Sequence, residues 1–509
     1  MSFFVVLALL LFSSCLNFAQ QANTIIVSEK QFVTPVLKGK ADNPIIRLNF
    51  WSENPTDKKS TLRLVFNTVA TTQLKALKVA KLYYCGMDSL WSPTKSVLFG
   101  TTTKFGVEFS IEGNQPLQKG NNYFWLMYEL TPDADLSGLV DATCTKVILN
   151  KKKIASLPTW KNKIQQRIGI ALRQHNEDQI HTYRIPGLTT TNQGSLLAVY
   201  DVRRDSGRDL QGDIDIGVSR STDGGKTWEP MRIGMDMGKW GGLPEKFNGV
   251  SDACILVDKN SNTIYLAGLW MYGVINDEGK WLEGLNEESK AWNHQWRTKG
   301  SQPGFDVKQT AQFLIVKSTD DGKTWGEPIN LTTMCKKEEW WLWAPAPGHG
   351  ITLADSTLVF PTQGRDKAGT PFSNITFSKD GGKTWTTSQK ASAESTTENM
   401  AVQLTDGTLM LNMRANKNRG NLAADNGREV AVTQDLGMNW IKHPSSNGGL
   451  PEPTCMASIH RHDFTNNNTK QSILLFSNPN SKTDRDYLTL KVSKDDGKNL
   501  ACFTLDFTG

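Results

Sequence analysis

A short motif, Ser-x-Asp-x-Gly-x-x-Trp, recurs along the chain and constrains its fold more than any other feature of the sequence. Three copies are complete, a fourth is looser, and in a fifth Leu500 stands where the Trp belongs. The copies begin at Ser221, Ser318, Ser378, Thr433 and Ser493, so successive starts lie about 97, 60, 55 and 60 residues apart. Because one four-stranded propeller blade takes roughly 40–50 residues, this repeat predicts a β-propeller.

The residues of one copy have a local physical role. Each copy follows a short apolar run, such as FLIV or NITF. The Asp carboxylate can then accept hydrogen bonds from nearby backbone N–H groups, and the Gly adopts a conformation that other residues resist. The Trp returns the chain to a strand and packs beneath the turn. We therefore predict that each copy, called a box below, forms a corner between two strands and has a structural role.

The length of the chain predicts two domains, since 509 residues exceed one ordinary domain. Residues 24–158 contain no box but carry alternating or apolar runs between turn residues, such as PIIRLNFW, TLRLVFN and NYFWLMYEL. These runs predict a β-sandwich. Residues 165–509, where the boxes set the period, are the predicted propeller.

Composition argues against two classes of function. The formal net charge is +6, which is small for this length, and no basic block stands out. Nucleic acid is therefore not an expected partner. No Cys belongs to a Cys-x-x-Cys pair, which argues against a zinc or redox motif. We expect the scattered Cys residues to be small buried apolar groups.

The N-terminus predicts export of the protein. The segment FFVVLALLLF is an apolar core too short to span a bilayer, and small residues follow it, although no Lys or Arg precedes it. Residues 1–22 are the predicted signal peptide, which places the protein in the periplasm, outside the cell or on its surface. Cys15 offers an alternative, because lipidation there would tether the protein to a membrane.

Two segments concentrate charge beside apolar runs. Arg184 lies in HTYRIPGL, where an Arg within a strand-like run must be paired or functional. Soon afterwards, DVRRDSGRDLQGDIDIG carries two adjacent Arg and then Asp205, Asp209, Asp213 and Asp215. From the residues alone, this density of opposite charges fits either a functional site or a salt-bridge network that holds a blade.

The segment YRIPGL, together with the boxes, resembles bacterial exo-α-sialidases (neuraminidases) of the Bacteroides type. The resemblance covers roughly residues 165–500, and the Arg-Ile-Pro segment is more specific than the boxes. The N-terminal region resembles the β-sandwich, carbohydrate-binding-like domain that precedes the propeller in these enzymes. The resemblance implies an all-β fold with a six-bladed propeller. It also implies hydrolysis of terminal sialic acid from glycoproteins, glycolipids and oligosaccharides with retention, and no metal or organic cofactor.

Three arginines are expected to bind the carboxylate of sialic acid. A planar guanidinium meets a carboxylate with two parallel charge-assisted hydrogen bonds. The resemblance assigns this role to Arg184, to Arg414 in LMLNMRANKNRG, and to Arg485, which follows an Asn-Pro before the last box. Arg203 matches an additional substrate-binding arginine of the family.

Two carboxylates are expected to carry the catalysis. Asp209, six residues after Arg203, matches the acid/base residue of the family, and Gly212-Asp213-Ile214 supports this alignment over the competing Asp205. Glu398 matches the Glu that accepts the proton of a Tyr nucleophile. Asp252 resembles a family position near the amide or 4-hydroxyl of the substrate.

The nucleophile itself is not assigned. The family places its Tyr some 30–40 residues after the third arginine, but the chain ends at Gly509 and the only later Tyr is Tyr487, whose surroundings do not match. We therefore expect the nucleophilic Tyr beyond Gly509. The altered fifth box and the unrelated ending predict a truncated or frameshifted reading frame, whose last blade would lack closing strands.

Two other functions stay open at this point. A sialic-acid-binding, lectin-like propeller would keep the arginines without turnover, which the unassigned Tyr favours but the retained Asp209 and Glu398 oppose. A box-containing propeller of another class, such as a receptor or scaffold, is opposed by the complete set of arginines.

Overall fold

The chain has an all-β fold, as the sequence predicts. The computed structural model describes residues 23–157, 164–210, 212–240, 245–273, 282, 294, 301–499 and the strand 505–506. Strands account for 48% of it and helices for 4%. The chain divides into two compact units, Met1–Ile170 and Ala171–Gly509.

The first unit contains twelve strands and one 3₁₀ turn, Leu74–Ala76, in its described residues. In chain order the strands are β1 Ile25–Gln31, β2 Val36–Lys38, β3 Asn43–Ser52, β4 Thr61–Asn67, β5 Leu77–Tyr84, β6 Val97–Thr102, β7 Glu108–Asn114, β8 Gly120–Leu130, β9 Leu139–Val140, β10 Thr143–Leu149, β11 Lys152–Ser156 and β12 Gln166–Ile170. They form sheets with the strand orders β1-β3-β8-β5-β6, β11-β10-β4-β7 and β2-β12-β9.

The two larger sheets of this unit share one hydrophobic core. Along β3, Leu48 and Phe50 are fully buried, whereas Asn49 between them is half-buried, as expected when alternate residues face opposite sides of a strand. Leu64 and Phe66 of β4 belong to the same core cluster as these two β3 residues. Both sheets therefore bury one face against the same apolar interior.

The division between the units falls later than the sequence suggests. Strand β12, which lies inside the region predicted to begin the propeller, pairs in parallel with β2 and antiparallel with β9. The buried side-chain amide of Gln166 also donates hydrogen bonds to the carbonyls of Thr34 and Pro44. These contacts assign residues 166–170 to the first unit.

The second unit contains the remaining strands. In chain order they are β13 Thr182–Thr190, β14 Leu196–Arg203, β15 Ile214–Ser221, β16 Arg232–Met235, β17 Asn248–Val257, β18 Ile264–Tyr272, β19 Gln312–Ser318, β20 Ile329–Asn330, β21 Leu342–Pro345, β22 Gly348–His349, β23 Ile351–Thr352, β24 Leu358–Arg365, β25 Pro371–Ser378, β26 Thr386–Thr387, β27 Thr396–Gln403, β28 Leu409–Ala415, β29 Glu429–Thr433, β30 Ile441–Lys442, β31 Ser458–Asn466, β32 Thr469–Pro479, β33 Leu488–Ser493 and β34 Leu505–Asp506. Its short helical segments are Glu177–Gln179, Glu245–Phe247, Thr332–Cys335 and Asn416–Asn418.

The described strands of this unit form five successive groups by antiparallel pairing, called sheets 1 to 5 below. Sheet 1 has the strand order β13-β14-β15-β16, sheet 2 β17-β18-β19-β20, sheet 3 β21-β24-β25-β26 with β23 also paired to β24, sheet 4 β27-β28-β29-β30 and sheet 5 β31-β32-β33-β34. Sheets 1 and 2 are continuous, because β15 pairs in parallel with β17 at Ile214 and Gly249, and β22 also pairs in parallel with β17. A ring of six blades stays a prediction. No helix among the described residues is long and apolar enough to cross a bilayer.

Each box forms the turn between the third and fourth strands of its sheet. In the first, the Ser221 hydroxyl donates to the Asp223 carboxylate (2.8 Å) and accepts from the Gly225 N–H (2.9 Å), while the Thr227 N–H donates to Asp223 (3.0 Å). The other four boxes repeat this pattern. The fifth box keeps these bonds although Leu500 replaces the Trp. The predicted role of the Asp is therefore confirmed.

From sheet 2 onwards, each box also contacts the preceding sheet. In box 2, Asp321 accepts hydrogen bonds from Arg220 and Ser195 of sheet 1. In box 3, Gly382 has φ 76°, and a Cβ there would lie 2.3 Å from the hydroxyl of Tyr265 in sheet 2.

The last two boxes make similar contacts. In box 4 the Gly437 carbonyl accepts a hydrogen bond from the Gln389 N–H at 3.0 Å. In box 5, Asp496 accepts from Thr405 of sheet 4. The boxes thus join neighbouring sheets.

The box carboxylates should make stability depend on pH. Hydrogen bonds from the N–H and side-chain amide of Asn439 and from the Thr433 hydroxyl lower the pKa of Asp435 to about 2. A lowered pKa stabilises the fold fully above the pKa of the unfolded chain, about 4, and this contribution is lost as the pH falls towards 2. In thermal unfolding, Asp435→Asn should therefore lower the Tm most at neutral pH, with the difference shrinking below pH 4. The exposed Glu327→Gln is the control, and a pH-independent loss for Asp435→Asn would contradict the account.

Candidate active site

Three of the predicted site residues, Arg184, Asp252 and Glu398, lie at or next to irregularities in the first strands of three sheets. In each of these strands, two residues face a single residue of the next strand, which is a β-bulge. The bulged pairs are Ile185 and Pro186 in β13, Asp252 and Ala253 in β17, and Thr397 and Glu398 in β27. A bulge redirects side chains and is common beside active sites. It therefore explains how Asp252 and Glu398 are turned out of a regular strand.

Two of these bulges hold strained backbone. Ile185 has φ 54° and Asp252 has φ 56°. A β-branched residue such as Ile is a genuine outlier in this left-handed region. Strain of this kind costs about 1–3 kcal/mol and persists where the surrounding structure imposes it. The Arg-Ile-Pro segment therefore holds the chain immediately after Arg184 in a conformation that is unfavourable by itself.

Six of the seven predicted site residues line one cavity of about 1840 Å³. They are Arg184, Asp209, Asp252, Glu398, Arg414 and Arg485. The competing Asp205 is not among the described residues that line it. Within the described part of the chain, no group of three or more His, Cys, Asp or Glu residues is arranged to hold a metal ion.

The seventh residue, Arg203, lies behind the cavity wall. Its side chain is buried, and its guanidinium donates to Asp201 through Nε (3.1 Å) and Nη2 (2.8 Å), to Asp209 (2.7 Å) and to the carbonyl of Gly207 (3.1 Å). Arg203 therefore orients the predicted acid/base residue in this structure. Its contact with substrate stays a prediction.

Asp201 is the residue of this cluster that the sequence analysis missed. It is fully buried, and its second carboxylate oxygen accepts the N–H of Asp252 at 3.0 Å. Asp201 thus connects Arg203 to the bulge that carries Asp252. The spacing Asp-x-Arg was the available signal, because residues two apart on a strand share a face.

Burial raises the pKa of both buried carboxylates. The pKa of Asp201 rises to about 6, because burial outweighs the opposing effect of Arg203. Burial raises the pKa of Asp252 well above its ordinary value, and the charges of Asp201, Asp209 and Glu398 raise it further. A protonated Asp252 is a neutral hydrogen-bond donor in the cavity wall.

The neighbouring charges form a separate structural network. Arg204 pairs with Asp213 at 3.4 Å and with Asp215. None of these three residues is in the described lining of the cavity. The charge-rich segment therefore divides, because Asp209 lines the cavity with Arg203 behind it, whereas Arg204 pairs with two carboxylates outside the described lining.

Arg414 and Glu398 face each other across the third bulge. Their side chains form an ion pair with Nη1 and Oε2 2.7 Å apart. The Nε of Arg414 is buried without a hydrogen-bond partner. A buried donor of this kind is costly to leave unpaired.

No tyrosine in the described residues is placed as a nucleophile. Tyr487 is 51% exposed, and it is absent from the described lining of the cavity. Tyr183 does line the cavity, but its hydroxyl donates to the carbonyl of Glu177 at 2.9 Å, and burial raises its pKa to about 12. The nucleophile stays unassigned.

Comparisons with known proteins identify the family of the chain. Residues 185–501 match the BNR repeat-like domain, and residues 22–153 match the N-terminal domain of BNR-repeat neuraminidase. A sialidase of Bacteroides fragilis (strain YCH46) is 37% identical over 97% of this chain and 89% of its own. The chain belongs to the sialidase family.

Other members of the family agree with this result. A sialidase of Micromonospora viridifaciens is 31% identical over 62% of this chain and 45% of its own. The solved structure of the Hadza microbial sialidase Hz136 superposes with a TM-score of 0.80, at 34% identity, over 94% of this chain and 92% of that one. The similarity to Hz136 therefore spans almost the whole chain.

The two carboxylate partners of Arg203 should differ in their importance for stability. Asp201 is 0% exposed and Asp209 is 59% exposed. Asp201→Asn removes the buried charge partner of a buried guanidinium and leaves only the exposed one, so we expect the free energy of unfolding to fall by about 3 kcal/mol. Asp209→Asn removes an exposed partner and should cost less than about 1 kcal/mol. Denaturant titration at pH 7.5 measures both, and equal losses would disprove the distinction.

Proposed function

We propose that the protein is an exo-α-sialidase that hydrolyses terminal sialic acid residues of glycoproteins, glycolipids and oligosaccharides with retention. The observation that carries this proposal is the convergence of three arginines, Arg184, Arg414 and Arg485, with Asp209 and Glu398 on one cavity. Three cations suit a substrate that carries a carboxylate, and two carboxylates suit glycoside cleavage.

The arginines bind and orient the carboxylate of the sugar. Arg184 and Arg485 are exposed in the cavity and form no ion pair within the described residues. The buried Nε of Arg414 is free to donate, while Nη1 is held by Glu398. Guanidinium groups from different sheets would fix the orientation of the sugar as well as its charge.

Asp209 protonates the leaving glycosidic oxygen and later removes a proton from the attacking water. Arg203 holds one of its carboxylate oxygens, so the other can face the substrate. Glu398 accepts the proton of a Tyr nucleophile, the group that sialidases use in place of a carboxylate. A neutral Tyr avoids repulsion by the carboxylate of the substrate.

The same proposal extends to architecture and location. Five successive antiparallel sheets, with boxes that contact the preceding sheet, support a six-bladed propeller. The two-sheet core of the first unit supports the β-sandwich, carbohydrate-binding-like domain. The apolar N-terminal segment supports export, with lipidation at Cys15 as the alternative route to a membrane surface.

Two parallel assays test the function. A fluorogenic α-sialoside reports release of sialic acid, and calorimetric titration with sialyllactose reports binding. We expect both for the unaltered protein, whereas Asp209→Ala should lose release and retain binding, because the arginines are intact. Binding without release by the unaltered protein would favour the lectin-like alternative. Absence of both would refute the proposal.

The carboxylate-binding role predicts a large loss of affinity for Arg184→Ala. Two charge-assisted hydrogen bonds are lost, so binding of sialyllactose should weaken by about 3 kcal/mol, or more than a hundredfold. The control is Arg232→Ala, which removes an arginine paired with Glu229 outside the described cavity lining. Similar affinities of the two variants in calorimetry would contradict the assignment.

A further inference from the structure

A second buried ion pair lies beneath the cavity wall, and nothing in the proposed reaction uses it. Arg428 and Glu452 are 0% and 1% exposed, with Nη1 and Oε2 2.7 Å apart. Neither residue is in the described lining of the cavity. A buried pair is weak evidence for stability, because desolvation can exceed the Coulombic gain. A role other than stabilising the fold is therefore sought in the residues that this pair contacts.

On one side, the pair holds the strand that carries Arg414. The other carboxylate oxygen of Glu452, Oε1, accepts the N–H of Ala415 at 2.7 Å and the side-chain amide of Asn418 at 2.7 Å. Arg428 donates through Nε to the side chain of Asn412 at 2.7 Å. These contacts bind the residues on either side of Arg414 along β28.

On the other side, the pair holds the segment that leads into sheet 5. Arg428 donates to the carbonyl of Cys455 at 2.7 Å, and Cys455 lines the cavity. Next to Glu452, the carbonyl of Pro451 accepts the side-chain amide of Asn478 at 2.8 Å. Asn478 lies near the end of β32, from which the loop carrying Arg485 begins. That loop is closed by a bond from the Asn480 N–H to the Tyr487 carbonyl at 3.0 Å.

We propose that Arg428 and Glu452 are positioning residues that set the distance between Arg414 and Arg485, and so determine the preference of the site for a sugar acid. This inference rests on the proposed binding of a carboxylate by these arginines. The pair links β28 to the sheet that carries the Arg485 loop, through contacts that are buried and directional. An apolar pair of similar volume would fill the same space without fixing this geometry.

The test compares two buried ion pairs of the same unit. Glu452→Gln breaks the pair that contacts β28 and the segment leading into sheet 5. Asp321→Asn breaks the Arg220–Asp321 pair between sheets 1 and 2. The side chains of this pair are also nearly buried, with 7% and 3% exposed. Neither residue is in the described lining of the cavity. Arg428→Lys is a milder variant, which keeps the charge opposite Glu452 and loses the fork of donors. It decides the question if Glu452→Gln does not fold.

Each variant is titrated with free sialic acid and with its methyl ester, well below its Tm. Glu452→Gln should bind the acid at least about tenfold more weakly, since a displacement of about 1 Å can cost a hundredfold, and should change little towards the ester. The preference for acid over ester should therefore collapse. Arg428→Lys should show a smaller loss of the same kind. Asp321→Asn should lower the Tm and keep the preference.

The outcomes separate the two proposals. If the unaltered protein does not bind sialic acid, the proposed function fails, and this inference fails with it. The other case is that the unaltered protein binds the acid, and Glu452→Gln prefers the acid over the ester as strongly as Asp321→Asn does. Arg428→Lys is compared in the same way if Glu452→Gln does not fold. The pair is then merely structural, and only this inference is overturned.

Discussion

The hydrogen-bonded box turn is the interaction on which the second unit depends. Its Asp closes the turn between the third and fourth strands, and residues of the same turn contact the sheet before it. A sheet of four short strands cannot bury its own apolar faces alone, so it needs a neighbour on each side. The box turns thus join each of sheets 2 to 5 to the sheet before it, in addition to the backbone pairing that connects sheets 1 and 2.

The site follows from that arrangement. Arg184, Asp252 and Glu398 come from the first strands of three sheets, and Arg414 comes from the second strand of one of them. A regular strand would alternate its side chains between the two faces of the sheet. The bulges interrupt this alternation where Asp252 and Glu398 occur. The scaffold thus supplies the positions, and local irregularities supply the directions of the functional groups.

Local neighbours along the chain were enough to single out residues that line the cavity or build the box turns. Arg184 precedes Ile-Pro, Asp209 follows Arg203 at a fixed spacing, and all the box residues belong to one short turn. Local neighbours were not enough where the decisive contact is distant along the chain. The pairing of β12 with β2 joins residues more than a hundred positions apart, so the unit boundary was placed too early. The bulges likewise depend on the register of the partner strand, which the sequence of one strand does not reveal. Arg203 and Arg204 are adjacent in the sequence, and their roles differ only because the folded chain brings them to different carboxylates.

The cavity is lined by carboxylates as well as arginines, and the charge states of these carboxylates explain how it could still attract an anion. The site must attract an anion, yet Asp252 and Glu398 line it together with the arginines. Glu398 is neutralised by its ion pair with Arg414. Burial and the nearby carboxylates raise the pKa of Asp252, which favours its neutral form. As the pH rises through that raised pKa, Asp252 gains a negative charge in the cavity wall. The attraction of the cavity for a carboxylate should therefore weaken from the alkaline side, while the arginines themselves stay charged.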